Sequence, residues 1–356
     1  MNYIGAYMNF NKLRNLHGRI HEYRTKHNLI NKPFGKKVYV LGTPEHSNLG
    51  DSAIALAEIA FLKKCGIKSC RIKEFTQPEV KLYSDSIFKI NKKNLICGHG
   101  GGNMGNLWYN EELFRYTFLD KLQKNPTIIF PQTIYFTDDE KGKKAVEDSL
   151  SHYNDHKNLT MIAREKISYE LLNKLYQKPN KLLVPDIVLS TTMQDYGVDK
   201  QIRKGCLLVF RSDLEKAMLD EDRKSIKSYL DTHNVSYNIT DMHTDVAVNK
   251  ENRLLCVQNK MKEFASSELV ITDRLHGMVF AAITETPCIV FNNNHYKIRG
   301  TYEWIKYLPY VKYVENVNQA IKLIPELINL KNCKYDNEPL KKYFDKLKEV
   351  VNKYVN

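Results

Sequence analysis

Long apolar runs are missing from this chain of 356 residues. A membrane-spanning helix needs about 20 consecutive apolar residues, and no stretch of the sequence approaches that length. The N-terminus also lacks the basic segment followed by an apolar segment that marks a secretory signal. These absences predict a cytoplasmic protein.

Cysteine pairs with the spacing of a metal site are missing as well. The seven cysteines are scattered, and no C-x-x-C pair occurs among them. Cys97 and Cys288 stand inside apolar, strand-like runs. Dispersed cysteines of this kind are typical of free, buried thiols in a reducing compartment. We therefore expect neither a disulfide framework nor a zinc site.

Acidic residues are too few to balance the basic ones. There are 41 Asp and Glu against 54 Lys and Arg, and the formal net charge is +13. The lysines are spread along the chain, and no basic run carries interleaved aromatics, so nucleic acid is not an expected partner. A solvated lysine-rich surface accounts for the excess. The functional alternatives are an anionic substrate or peripheral association with an anionic membrane at its inner face.

The length predicts two domains, and short apolar runs alternate with helix-like segments from residue 38 onward. Such alternation indicates α/β domains with a parallel sheet between helices. A polar stretch at 190–204 interrupts the pattern. We predict two doubly wound, Rossmann-like domains facing a cleft, over 1–195 and 196–356, the first with a basic helical extension at 1–35. In such sheets, ligands bind at the carboxyl ends of the strands.

The segments after the first predicted strands are polar or rich in glycine. Asn48 and Asp51 directly precede or begin a predicted helix, where both residue types are preferred as caps. If Asp51 is functional, its negative charge favours contact with sugar hydroxyls over a phosphate. Four of the five residues 98–102 are glycines, which exceeds what one turn requires and predicts a loop that lines a ligand. Its lining residues are Gly100, Gly101, Gly102 and Asn103.

Two later strand ends carry polar side chains. Gln132 follows a strand predicted over 127–130 and is suited to bind a sugar or carboxylate, although a plain turn is an alternative. Arg164 follows a strand predicted over 159–163, where its guanidinium can bind a carboxylate or phosphate through two parallel hydrogen bonds. A structural ion pair with Glu165 is the alternative.

The most informative segment is 271–278, between a strand and a helix of the second half. Asp273, Arg274 and His276 interrupt an otherwise apolar passage at a helix N-terminus. Arg274 and the helix dipole favour a phosphate there, and histidine is the residue type best suited to proton transfer at physiological pH, which makes His276 a candidate for that role. Lys297 adds positive charge after the next strand.

Taken in order, these segments resemble the polysaccharide pyruvyl transferase family, the ketal pyruvyltransferases. The resemblance spans about residues 38–300. The matching segments are Gly42-Thr43-Pro44, Asn48-Leu49-Gly50-Asp51, Gly100-Gly101-Gly102-Asn103, Phe130-Pro131-Gln132, Ala163-Arg164-Glu165, Pro185-Asp186 and Asp273-Arg274-Leu275-His276-Gly277.

The resemblance implies a fold similar to that of B-type glycosyltransferases. It implies phosphoenolpyruvate as donor and a hexose as acceptor, in a polysaccharide of the cell envelope or in an oligosaccharide carried by a polyprenyl lipid. Phosphoenolpyruvate is a co-substrate, and we expect no metal or other cofactor. By the same resemblance, Arg164, His276 and Lys297 fall at donor-binding or catalytic positions.

Our hypothesis from the sequence assigns a role to each of these residues. His276 and Asp51 are catalytic, as proton carrier and as activator of an acceptor hydroxyl. Donor binding falls to Arg164, Arg274, Lys297 and Gly277, and substrate lining to Asn48, Gly100, Gly101, Gly102, Asn103 and Gln132. Two alternatives remain: a nucleotide-sugar-dependent glycosyltransferase on the same architecture, and a carbohydrate-binding or assembly subunit without catalysis.

Overall fold

The computed structural model describes residues 36–211, 218–292 and 296–355. The predicted helix over 1–35 lies outside these ranges. The described residues form two separate parallel sheets, each with helices on both faces, as the alternation predicts. The predicted α/β class and doubly wound architecture are confirmed.

The first sheet contains seven strands in the order β2-β1-β3-β5-β6-β7, with β4 pairing with β5. Every recorded strand pair in it is parallel. Its strands are β1 (Val38–Thr43), β2 (Ile72–Thr76), β3 (Leu95–Gly98), β4 (Gly101–Gly105), β5 (Thr127–Tyr135), β6 (Leu159–Ala163) and β7 (Asn180–Leu183). Its helices are α1 (Leu49–Lys64), α2 (Gln77–Leu82), α3 (Ser84–Ile87), α4 (Tyr109–Lys121), α5 (Glu140–Asn154) and α6 (Lys166–Leu175).

The second sheet has the order β12-β11-β10-β8-β9 and is also parallel throughout. Its strands are β8 (Cys206–Val209), β9 (Tyr237–Thr240), β10 (Leu269–Thr272), β11 (Cys288–Phe291) and β12 (Val311–Val314). The accompanying helices are α7 (Asp220–Thr232), α8 (Arg253–Ala265), α9 (Leu275–Ile283), α10 (Lys297–Ile305), α11 (Val317–Ile328) and α12 (Glu338–Val355).

Burial explains why these apolar runs form strands. All residues of β1, β3, β8, β10 and β11 are buried, as expected for parallel strands covered on both faces. The first sheet ends at Leu183 and the second begins at Cys206, and the predicted boundary at 195/196 lies between them. The last helix, α12, returns to the first domain, where the ring of Phe344 lies 6.3 Å from that of Phe61.

One strand prediction was wrong in extent. β5 does not end at Phe130 and continues to Tyr135, so Gln132 belongs to a strand.

All seven cysteines are free thiols, and five of them are buried. No helix of the described ranges is long and apolar enough to cross a membrane.

Candidate functional site

A cleft of about 380 Å³ lies between the carboxyl ends of the two sheets. Both domains contribute to its wall, as expected for ligand sites in doubly wound folds. The lining residues are His46, Ser47, Asn48, Asp51, Gly102, Asn103, Trp108, Glu111 and Arg164 from the first domain, and Arg211, Met242, His243, Arg274, Leu275, His276 and Lys297 from the second.

Arg164 is held rigidly at the end of β6. Its Nε donates a hydrogen bond to the hydroxyl of Thr133 at 2.7 Å, and its Nη1 donates to Oδ2 of Asp186 at 2.8 Å. A Cβ at Gly102 would lie 2.7 Å from Nη2 of Arg164. The glycine therefore leaves room for a guanidinium that reaches the cleft with its direction fixed. The predicted alternative, an ion pair with Glu165, is also present at 3.8 Å from Nε.

His276 reaches the same carboxylate from the other domain. It is the second residue of α9, and its Nε2 lies 3.5 Å from Oδ2 of Asp186. Asp186 thus bridges the guanidinium of Arg164 and the imidazole of His276. Burial alone would raise the pKa of Asp186, but the neighbouring imidazole of His276 and the charge of Arg164 hold that pKa well below its usual range.

Gly50 packs against the side chain of His276. A Cβ at residue 50 would lie 2.4 Å from Nδ1 of His276 and 2.9 Å from its Cβ. Because these are contacts with both the ring and the base of the side chain, an alanine at this position must displace the imidazole. The first turn of α1 therefore packs directly on the ring across the domain interface.

Additional cations line the second-domain wall. Arg274 forms a bidentate pair with Asp241, with both N–O distances at 2.6 Å. Lys297 is the first residue of α10 and is largely buried. Arg211, which follows β8, is also buried, and its backbone N–H donates to Oδ1 of Asp273 at 2.7 Å. Arg274 therefore shares its charge with a carboxylate, and Arg211 adds a cation that the sequence did not single out.

Part of the glycine-rich segment lines the cleft, and part of it holds the segment against α1. Gly102 and Asn103 line the cleft, whereas Gly100 and Gly101 do not. The N–H of Gly100 donates to Oε1 of the buried Glu58 at 2.7 Å, and Oε2 of Glu58 lies 2.9 Å from Nδ1 of His99. The predicted lining role of Gly100 and Gly101 is thus corrected to a supporting one, because this part of the segment is tied to α1.

Gln132 and Gly277 also have structural positions. Gln132 is 0% exposed, and its Nε2 donates to the backbone carbonyl of His99 at 2.8 Å. A Cβ at Gly277 would lie 2.3 Å from the hydroxyl oxygen of Thr272. Neither residue lines the cleft. Gln132 was predicted to line the substrate site because β5 was predicted to end too early. Gly277 was predicted to bind the donor, but the close packing of α9 on β10 is sufficient reason for a glycine at this position.

Asp51 and Asn48 lie where the sequence predicts, at the start of α1. Asn48 caps the helix, since its Oδ1 accepts a hydrogen bond from the N–H of Gly50 at 2.9 Å. Asp51 stands in the first turn, and its Oδ2 lies 3.7 Å from Nε2 of His46. Both side chains also line the cleft, so capping and substrate contact are compatible for Asn48.

Backbone hydrogen bonds join the loop before α1 to the loop after β9. The N–H of Leu49 donates to the carbonyl of Met242 at 2.8 Å, and the N–H of Thr244 donates to the carbonyl of Ser47 at 3.1 Å. The side chains of Ser47 and His243 lie 3.1 Å apart. These contacts close one end of the cleft and fix the two domains relative to each other.

Sequence reasoning assigned no role to eight of the lining residues: His46, Ser47, Trp108, Glu111, Arg211, Met242, His243 and Leu275. Trp108 and Glu111 lie at the start of α4, just beyond the glycine-rich segment, and Arg211 and His243 follow β8 and β9. Arg211 carried a usable signal, since it directly follows a predicted strand of the second half. Trp108 and Glu111 carried none, because their approach to Asp51 depends on how α4 packs.

Two known proteins are similar to this chain in sequence. General stress protein 30 of Bacillus subtilis is 29% identical over 320 residues, which cover 87% of this chain and 91% of that protein. Pyruvyl transferase 1 of Schizosaccharomyces pombe is 28% identical over 273 residues, covering 73% of this chain and 67% of that protein.

A solved structure shows a similar fold. The UDP-GlcNAc 2-epimerase of Methanocaldococcus jannaschii superimposes with a TM-score of 0.52 at 13% identity, over 89% of this chain and 99% of that chain. At this identity the likeness concerns the fold alone, and it agrees with two α/β domains.

The family model described as polysaccharide pyruvyl transferase matches residues 48–295. The match covers well over half of the chain and includes Asp51, Arg164 and His276. The resemblance inferred from the sequence motifs is therefore confirmed. The chain belongs to the polysaccharide pyruvyl transferase family.

Proposed function

We propose that the protein transfers pyruvate from phosphoenolpyruvate to a hexose of a polysaccharide or lipid-linked oligosaccharide, forming a ketal and releasing phosphate. The observation that carries this proposal is the contact of Arg164 and His276, from different domains, with one buried carboxylate at a cation-lined cleft. A rigid guanidinium and an imidazole at one position suit a small anionic substrate that needs proton transfer.

Charge supports a donor with two anionic groups. Arg164, Arg211 and Lys297 line the cleft together with Arg274, which stands before the N-terminus of α9. Phosphoenolpyruvate carries a carboxylate and a phosphate, and both gain from fixed cations and from a helix N-terminus. Arg164 binds the carboxylate or phosphate in this scheme. Lys297 and Arg211 stabilise the leaving phosphate, while Arg274 contributes less because Asp241 neutralises it.

The proposed chemistry has two steps. In the first, an acceptor hydroxyl forms a bond to C2 of the donor while a proton from His276 is added to the methylene carbon, which becomes a methyl group. In the second, another hydroxyl of the same sugar bonds to C2, the bond from C2 to the phosphate oxygen breaks, and phosphate leaves. Each hydroxyl loses its proton to a base, and Asp51 and the neutral His276 are suited to accept them.

Release of phosphate from phosphoenolpyruvate, measured against a panel of hexosides, tests this function directly. The wild type should release phosphate only with both substrates present, and His276→Asn should lower the rate by about 10²-fold or more. His233→Asn is the matched control, because His233 is exposed at the end of α7 and outside the cleft. Thermal stabilisation by a nucleotide sugar and not by phosphoenolpyruvate would instead favour the glycosyltransferase alternative.

We further propose that the protein acts in the cytoplasm, at the inner face of the membrane, where lipid-linked acceptors reside. The net charge of +13 supports attraction to an anionic surface. Co-flotation with vesicles should rise with their anionic lipid content and fall with salt. Flotation that does not depend on anionic lipid contradicts this location.

A further inference from the structure

The cleft continues into a second hollow of about 150 Å³ on the first-domain side. The two share His46, Asp51, Asn103 and Glu111 in their walls. Among the described residues that line the hollow, none is Arg or Lys, whereas Glu45, Asp51 and Glu111 contribute carboxylates. The cationic part of the cleft is thus followed by a part with the opposite charge.

Trp108 lines the main cleft, together with the four residues that the cleft and the hollow share, and supplies an aromatic surface there. It directly precedes α4 and is 47% exposed. Of the large apolar side chains exposed in the described part of the chain, it is the one that lines the cleft. An exposed indole in a concave site offers a flat apolar face and little conformational entropy to lose. The C–H face of a hexose ring is the complementary surface.

The polar residues beside Trp108 are already oriented. The buried Arg115 donates from Nη2 to Oδ1 of Asn103 at 2.7 Å, so the amide nitrogen of Asn103 faces Glu111 at 3.5 Å. The side-chain amide of Gln77 also donates to Glu111. Because these side chains are held in place before a ligand arrives, binding orders few groups, which favours affinity.

We propose that the hollow and the adjoining part of the cleft, lined by Trp108, Asp51, Asn103 and Glu111, form the acceptor subsite, and that this subsite selects a neutral hexose. Trp108 stacks on the sugar ring, Asp51 and Glu111 accept hydrogen bonds from its hydroxyls, and the same carboxylates disfavour a uronic acid by like-charge repulsion. The proposal rests on the proposed function for the identity of the reaction. It adds the class of acceptor and the residues that choose it.

The test compares sugars that differ only at C6. Methyl gluco-, galacto- and mannopyranosides are each measured against the corresponding methyl uronide, by phosphate release and by calorimetric binding without donor. For the best neutral glycoside, Trp108→Ala should raise the acceptor KM by about tenfold, the scale of 1.4 kcal/mol, and leave the KM for phosphoenolpyruvate unchanged. Trp108→Phe should retain most of the affinity, and Leu113→Ala, an exposed change on α4 outside the cleft, should match the wild type.

Glu111→Gln tests the charge selection. The ratio of kcat/KM for the neutral glycoside to kcat/KM for its uronide should fall, because one of the carboxylates that repel the uronide is removed. An unchanged acceptor KM in Trp108→Ala, or equal use of uronides and neutral glycosides by the wild type, overturns the subsite. If neutral glycosides bind the wild type and not Trp108→Ala but no phosphate is released, the subsite stands and the proposed pyruvyl transfer fails.

Discussion

Nε2 of His276 lies 3.5 Å from Oδ2 of Asp186, and the same oxygen accepts the hydrogen bond from Nη1 of Arg164. One buried carboxylate thus sets the positions of two side chains that belong to different domains. Its Oδ1 also accepts the N–H of Val188 at 3.0 Å, which fixes the carboxylate itself. The relative position of Arg164 and His276 therefore depends on Asp186 being in place.

The substitution Asp186→Asn tests this bridge. Asparagine keeps the shape and the oxygen that caps Val188, but it removes the closer of the two carboxylates that pair with the buried guanidinium. We expect the free energy of unfolding to fall by about 3 kcal/mol and kcat/KM to fall by about 10²-fold. Chemical denaturation and phosphate release measure the two effects, and Asp195→Asn, a partly exposed change in the 3-10 turn at Met193–Tyr196, is the control. Unchanged catalysis in a folded Asp186→Asn protein contradicts the bridge.

The contact between Gly50 and His276 predicts a second effect. Gly50→Ala places a methyl group within 2.4 Å of Nδ1, so the imidazole must move. Since a displacement of about 1 Å can cost about 10²-fold in rate, we expect a large fall in kcat and only a small fall in the unfolding temperature. Thermal unfolding and kcat are measured side by side.

Ser52→Ala is the matched control for this substitution. Ser52 is buried in the same helix, and its hydroxyl makes no hydrogen bond within the described structure. The control variant should keep both kcat and the unfolding temperature. If Gly50→Ala also keeps its kcat, the packing of α1 on His276 does not position the imidazole.

Glu165 should make stability depend on pH near neutrality. Burial raises the pKa of this carboxyl from 4.5 to about 7, against the opposing effect of Arg164. Between these pH values the folded protein holds a proton that the unfolded chain has released, so this contribution to stability is present below pH 4.5 and is lost as the pH rises through 7.

The substitution Glu165→Gln removes that titration. Between pH 5 and pH 7 the free energy of unfolding of this variant should fall by about 1 kcal/mol less than that of the wild type, or by a larger difference. Its unfolding temperature should accordingly fall less over the same range. Glu170→Gln, an exposed change on the same helix, should follow the wild-type profile. Parallel profiles for the wild type and Glu165→Gln would show that Glu165 is ionised in the folded protein throughout this range.

The sequence was sufficient for the parts of the site that follow directly from strand ends. Arg164, after β6, and His276, in the first turn of α9, line the cleft as expected, because the order of strands and helices fixes which edge of a sheet they reach. The prediction for Gln132 was wrong because an apolar run does not reveal where a strand ends. Trp108 was not predicted because its position depends on the packing of α4. Asp186 was assigned no role because only tertiary structure brings it to His276.

The backbone hydrogen bond from Leu49 to Met242 predicts how the closed cleft can be loosened. Leu49 is the first residue of α1, where proline is tolerated, and Asn48 before it is extended at φ −74° and ψ 109°, as a residue before proline requires. Leu49→Pro therefore removes the N–H that joins the domains without breaking the helix.

Leu49→Ala is the necessary comparison, because Leu49 is also buried in the core and either change removes its side chain. The proline variant should lose about 1 kcal/mol more than the alanine variant, the value of one hydrogen bond. It should also show a lower kcat, since Asn48, Gly50 and Asp51 are no longer held against the second domain. Equal kcat values for the two variants, at equal folded fractions by circular dichroism, would mean that helix packing alone keeps the cleft closed.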